Sequence, residues 1–323
     1  MTDAVLSLQK VSKRYPLPGS SPLSPRYLWA AREVSLDVQK GETLGIVGES
    51  GCGKSTLARI IMGLEQPDSG DVYFHGQRLT HQSEKILRPL RRKYQMVFQD
   101  STASLNPRRR VEDLIGAPML AHRLTDRKHL AEEVARLLSL VGLPPEAAQR
   151  FPHEFSGGQR QRICLARALA LQPELLILDE PVSALDVSVQ AQILNLLKQL
   201  QQSLHLTSVF IGHNLATVRY VSTRIAVMYM GQIVEYAPTQ ELFDHPAHPY
   251  TRALMDAAPL ADISLRDRPR MVLEGEASAQ CSQEGCPFRS RCPKAGDRCA
   301  SGTHPLREIS PGHFTACWQE VDV

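Results

Sequence analysis

The sequence has 323 residues, enough to bury one large core plus an appendage, and its 37 basic and 34 acidic side chains leave a formal net charge of +3. So small an excess gives no overall field for nucleic acid, no apolar run approaches the ~18 residues of a membrane span, and Met1–Tyr15 lacks the basic start and apolar core of a signal peptide. A cytosolic chain is predicted, in which the crowding of Cys281, Cys286, Cys292, Cys299 and Cys317 suggests a metal before disulfides, while Cys52 and Cys164 stand alone.

In chain order, Val5–Val11 and Val34–Val38 alternate apolar and polar residues, and Asp71–Gly76 reads as a strand ending in a turn. A small antiparallel sheet follows from these three. Residues Pro16–Pro25 are too proline-rich for a helix or central strand and read as an exposed loop. Tyr15, just before that loop, can stack on an adenine ring or serve as an amphipathic core edge.

The apolar run Thr43–Val47 leads into Gly48-Glu49-Ser50-Gly51-Cys52-Gly53-Lys54-Ser55 and then the helical pattern from Thr56 to Met62. Strand, glycine-rich loop and helix in this order form a phosphate loop. The glycines allow successive N–H groups to turn inward, and the start of the helix adds unpaired donors and its positive dipole end. Lys54 is expected to bridge the β- and γ-phosphates of a nucleoside triphosphate and the Ser55 hydroxyl to bind Mg²⁺.

Met96–Asp100 is a short apolar strand from whose end Gln99 can reach a metal-bound water, a phosphate or only solvent. The pattern then turns helical over Val111–Ala121 and Asp126–Val141, predicting an inserted helical subdomain over about residues 101–171. The basic runs Arg91–Lys93 and Arg108–Arg110 have no interleaved aromatics, so they read as solvated or protein-contacting faces. Ser156, Gly157, Gly158 and Gln159 open the next helix, Arg160–Leu171; the Ser and Gln are spaced as a capping box. A plain capped helix and a second anion site are both open at that point.

Leu175–Glu180 is a fully apolar strand ending in two carboxylates. Downstream of a phosphate loop, Asp179 is placed to hold Mg²⁺ through its water shell and Glu180 to act as general base on the attacking water. Ser183–Asp186 follows, then an amphipathic helix marked by Val189, Ile193, Leu196, Leu197 and Leu200. Thr207–Ile211 delivers His213 after Gly212, where the imidazole would face the γ-phosphate with Gln99 and Glu180. A hairpin over Arg224–Tyr236 turning at Gly231 and a short helix at Thr239–Phe243 complete the expected nucleotide-binding domain.

The phosphate loop, Gln99, the run Phe155–Gln159, Leu175–Glu180, Ser183–Asp186 and His213 stand in the order of an ATP-binding cassette ATPase. Over about residues 4–240 the chain resembles the nucleotide-binding subunit of an ABC transporter. The resemblance implies an α/β fold, a P-loop NTPase with a RecA-like core, an antiparallel β subdomain, a helical subdomain and a small cysteine-rich C-terminal extension over residues 241–323. It also implies Tyr15 as the adenine-stacking residue, Asp186 as a further nucleotide-binding residue and head-to-tail pairing, in which Ser156–Gln159 of one cassette contact the γ-phosphate held by residues 48–56 of another. With one phosphate loop here, a homologous second ATPase subunit is expected.

Finer features resemble the peptide and nickel importer subfamily, most closely the second ATPase subunit of dipeptide or oligopeptide importers: Phe98–Arg108, Pro181–Ser188 and His248–Thr251. Two departures are Phe155 where Leu is usual and Gly212-His213-Asn214 where Ser-His-Asp is usual. Cys286, Cys292, Cys299 and Cys317 resemble the ligands of the 4Fe–4S cluster in such extensions, with zinc the alternative and His304 and His313 as substitute ligands. Cys281 would be a spare. The expected assembly places the chain on the cytoplasmic face of the inner membrane with two transmembrane permease subunits and an extracytoplasmic substrate-binding protein. Nickel or metal-chelate import, a soluble ABC ATPase of translation or DNA repair, and a regulatory subunit without turnover are the rival readings.

Overall fold

The computed structural model describes residues 4–17, 26–257 and 284–319. Most of the expected loop at residues 16–25, and Cys281, lie outside them. The strands in chain order are β1 (Ala4–Pro16), β2 (Tyr27–Gln39), β3 (Thr43–Val47), β4 (Ser69–Phe74), β5 (Gln77–Arg78), β6 (Tyr94–Val97) and β7 (Leu175–Asp179). They continue with β8 (Thr207–Gly212), β9 (Arg224–Tyr229), β10 (Gln232–Pro238), β11 (Arg307–Ser310) and β12 (His313–Thr315).

The larger sheet has the order β11-β12-β10-β9-β3-β8-β7-β6. Its centre, β9-β3-β8-β7-β6, is parallel. Strands covered on both faces need apolar side chains throughout, and every residue of β3, β7 and β8 is buried. Parallel pairing also brings the C-terminal ends of β3, β7 and β8 to one edge, the usual ligand edge of an open α/β sheet.

The antiparallel sheet expected from the sequence is present as β2-β1-β4-β5. Its strands run longer than the alternation predicts, because register shifts in β1 between Leu8 and Val11 reset the side-chain period and bury Val11 and Ser12 together. The β9–β10 hairpin turns through Met230 and Gly231, both at positive φ, as a tight two-residue turn requires.

Residues 101–169 are helical, with segments at Ser101–Ser104, Val111–Ala121, Leu130–Leu140 and Gly157–Leu169. The third starts later than its apolar pattern suggests, since the Asp126 carboxylate accepts the N–H groups of Lys128 and His129 and holds a turn there. A long helix, Val187–Leu204, links β7 to β8. The helices Glu84–Arg91, Leu215–Val221 and Pro249–Ala257 add to those the sequence pattern predicts. Among the described residues no helix is long and apolar enough to cross a membrane.

The cysteine-bearing residues join the main body: β12 pairs antiparallel with β10, continuing the larger sheet. Phe288 is fully buried against Tyr229 and Tyr250 in the same apolar cluster that holds the helical region.

Candidate active site

Gly48–Gly53 leaves the end of β3 and turns into the helix Lys54–Ile61. Gly53 has φ 110°, and a Cβ there would stand 1.8 Å from the Ala30 carbonyl oxygen, so no side chain fits. Ser50 and Gly51 form the exposed tip, Glu49 is half-buried, and the Cys52 thiol is buried, which pushes its pKa up. Lys54 is 4% exposed, and its ammonium donates to the carbonyls of Gly48 and Glu49 at 2.8 Å each, so it is held over the loop. Buried Thr56 follows Ser55 on the first turn of the helix.

Ser55 Oγ donates to Asp179 Oδ1 at 3.0 Å, joining the phosphate-loop helix to the end of β7. Burial raises the Asp179 carboxyl above its ordinary range, and the Ser55 hydroxyl opposes that shift. Both residues line a cleft of about 630 Å³ with Gln99 and Arg59. An alcohol, a carboxylate and an amide carbonyl are the oxygen donors a hard cation such as Mg²⁺ takes.

The next residue, Glu180, has φ 46°, a left-handed conformation uncommon outside glycine, and its N–H donates to the Ile211 carbonyl at 3.0 Å. The backbone turn aims its side chain along the strand-end edge. There Gln99 Nε2 donates to Glu180 Oε2 at 3.0 Å, and His213 Nδ1 lies 3.3 Å from the same oxygen. Three residues from three strand ends thus meet at one carboxylate, as expected from their positions after β6, β7 and β8. Asn214, where an acid is usual, accepts the N–H groups of Ala216 and Thr217 and caps the helix after His213.

The capping box is formed: Gln159 N–H donates to Ser156 Oγ at 3.4 Å and Ser156 N–H to Gln159 Oε1 at 3.0 Å. Gly157 and Gly158 open that helix, and Asp186 precedes Val187–Leu204 with its side chain exposed. Among the described residues, no hydrogen bond or ion pair joins Ser156–Gln159 or Asp186 to the phosphate loop. Tyr15, half-buried at the end of β1, donates its hydroxyl to the Glu65 carboxylate and lies within hydrogen-bonding reach of Thr56. The Lys13 ammonium sits 5.7 Å from its ring centroid.

Cys286, Cys292, Cys299 and Cys317 are free thiols. Burial pushes Cys286 up to about 11, and the charges of Cys299, Cys292 and Cys317 add to the shift, so the four share one neighbourhood. Trp318 Nε1 donates to Cys299 Sγ at 3.2 Å, and Cys286 N–H to the Cys299 carbonyl at 2.9 Å. Among the described residues, however, no three His, Cys, Asp or Glu side chains are arranged to hold a metal ion. His313, weighed as a substitute ligand, is instead committed to Glu235 at 2.8 Å.

Two side chains of the extension reach the loop, a contact that neither the His248–Thr251 run nor the pattern around Arg291 predicts. Tyr250 Oη accepts the Glu49 N–H at 2.9 Å, and Arg291 Nη1 donates to both Glu49 carboxylate oxygens at 3.1 and 2.9 Å.

Two family models match the chain: ABC transporter over residues 31–183, and oligopeptide/dipeptide transporter, C-terminal region, over residues 234–299. The oligopeptide transport ATP-binding protein AppF of Bacillus subtilis (strain 168) is 46% identical over 321 residues, 98% of this chain and 97% of that protein. The glutathione import ATP-binding protein GsiA of Pectobacterium atrosepticum is 46% identical over 97% of this chain and 48% of its own length. A solved dimeric ATP-binding cassette in a post-hydrolysis state, bound to ADP and Pi, superposes with a TM-score of 0.65 at 28% identity, covering 72% of this chain and 98% of that one.

Proposed function

Because this chain belongs to the ABC transporter ATP-binding family and carries that family's oligopeptide/dipeptide C-terminal region, we propose that it hydrolyses ATP to drive import of dipeptides or oligopeptides through a separate permease. The observation that carries the reading is the meeting of Gln99, Glu180 and His213 beside the Ser55–Asp179 contact.

In this reading the phosphates enter the nest of N–H groups at residues 48–56, and Lys54 exchanges the Gly48 and Glu49 carbonyls for the β- and γ-phosphates. Tyr15 stacks on the adenine. Ser55, Gln99 and Asp179 hold Mg²⁺, which offsets the phosphate charge when bound. Glu180 takes a proton from water as its oxygen attacks the γ-phosphorus. The bond to the β-phosphate oxygen breaks, leaving ADP and phosphate. Gln99 and His213 hold the Glu180 carboxylate and the water in line. Ser156–Gln159 and Asp186 serve the site of a homologous second ATPase subunit, consistent with their lack of contact with this chain's own loop.

The nucleotide-binding unit runs to about residue 240 and the extension over 241–323. In the extension, Cys286, Cys292, Cys299 and Cys317 are the proposed ligands of a 4Fe–4S cluster. The donor set fits in composition: burial disfavours bare thiolates at Cys286, Cys292 and Cys317, and a cationic centre is what makes them acceptable together. The assembly adds two transmembrane subunits and an extracytoplasmic binding protein, with this chain peripheral on the cytoplasmic face.

Anaerobic co-purification of the tagged chain from membranes tests this, with partners identified by mass and iron assayed in the same sample. The expected result is two membrane subunits, a second cassette and about four irons per chain. Partners confined to ribosomal or DNA-repair proteins would overturn the importer reading, and an iron-free sample with the membrane partners present would overturn the cluster alone.

A further inference from the structure

We propose that Arg291 is a positioning residue for the phosphate loop, so that the ATP affinity of this cassette is set from its C-terminal extension. The inference rests on the ATP-binding reading of residues 48–56.

Glu49 is held at three points. Its carbonyl accepts from Lys54 at 2.8 Å, its N–H donates to Tyr250 Oη at 2.9 Å, and its carboxylate receives Arg291 Nη1. Two of these three come from residues beyond 240. The remaining side of the loop is fixed by the β9–β10 turn, where Gly231 N–H donates to the Cys52 carbonyl at 2.9 Å.

Arg291 is a rigid anchor rather than a surface partner. Its side chain is 9% exposed, Glu49 is 27% exposed, and neighbouring Phe288 is fully buried against Tyr229, Tyr250 and His248. A buried charge-assisted contact keeps its geometry and is weakly screened.

The charge matters as well as the position. Glu49 is a carboxylate inside a loop built to receive a triphosphate, and an unpaired anion there repels the ligand. Arg291 cancels that charge and, with Tyr250, fixes Glu49 within the loop whose N–H groups receive the phosphates. Losing Arg291 therefore weakens nucleotide binding first, because no reacting atom is touched.

The test uses the full chain with R291Q, R291K, E49Q and the double variant E49Q/R291Q, measuring MgATP dissociation constants by calorimetry and KM and kcat by phosphate release. R291Q is expected to raise Kd and KM about 10-fold, the scale of one charge-assisted hydrogen bond, with kcat within about two-fold. R291K keeps the charge and recovers most of the loss. Adding R291Q to E49Q changes Kd little, since the carboxylate to be neutralised is gone. A wild-type Kd in R291Q, or a loss from R291Q as large in the E49Q background as in the unaltered chain, would overturn the proposal. If R291Q alone fails to fold, E49Q against E49Q/R291Q decides it: equal Kd values support the proposal, and a further loss of about 10-fold in the double variant overturns it. Failure of the unaltered chain to bind MgATP would instead overturn the ATP reading itself.

Discussion

Replacing Glu180 with Gln lowers the steady-state rate of ATP hydrolysis by about 10²–10⁴-fold and leaves MgATP bound. The carboxylate is the one proton acceptor on which Gln99 and His213 converge, at 3.0 and 3.3 Å. Glutamine has the same shape and satisfies the same neighbours, so the left-handed turn at residue 180 and its N–H bond to Ile211 survive. What disappears is basicity. Phosphate release and nucleotide binding measured on one preparation separate the two functions. A variant hydrolysing at the original rate would show that the proton leaves by another route.

Replacing His313 with Leu destabilises the docked tail by about 3–5 kcal/mol, the cost of breaking a buried pair and leaving one charge behind. Glu235 is fully buried and accepts the N–H groups of Ala247 and His248 at 2.6 and 2.8 Å, with His313 Nε2 at 2.8 Å as its charged partner. Burial alone would pull His313 down, but the hydrogen bond and charge of Glu235, then Glu241, hold it above its ordinary value. His248 beside it is pushed down to about 4 by burial and stays neutral, its Nδ1 accepting the Tyr250 N–H.

The sign of the pH dependence follows. Stabilisation from a histidine raised on folding is complete below its unfolded value, ~6.5, and is lost as pH rises through the raised native value. The melting temperature of the unaltered chain should therefore exceed that of H313L by several degrees at pH 6, and the gap should narrow above neutrality. A gap that does not change with pH would mean that His313 is neutral in the fold.

The residues that act through adjacency in the chain were legible. Gly48–Ser55 and the end of β7 carry their chemistry within a few positions, and the capping box at Ser156 and Gln159 spans three. Gln99 and His213 were readable only through the expectation that strand ends line up. The observed order β3-β8-β7-β6 meets it.

Elements that depend on distant partners left no local trace. Tyr250 and Arg291 lie 201 and 242 positions from Glu49, and although Tyr250 falls in the His248–Thr251 run, nothing local tells that either side chain reaches the loop. The three residues of β12 are too few for a period-2 pattern, and their pairing with β10 is held by the His313–Glu235 contact rather than by alternation. The register shifts in β1 mask its length for the same reason, since each breaks the period that marks a strand. The cysteine spacing was visible, while the arrangement of the thiols depends on what Trp318 and the Cys299 backbone do around them.

The claim that hydrolysis at Glu180 powers peptide entry is tested most directly by uptake of a radiolabelled peptide in cells making the assembled transporter with either the unaltered chain or E180Q. Accumulation against a gradient with the first, and none above background with an equally abundant E180Q complex, is the predicted result. Equal uptake by both would contradict the account.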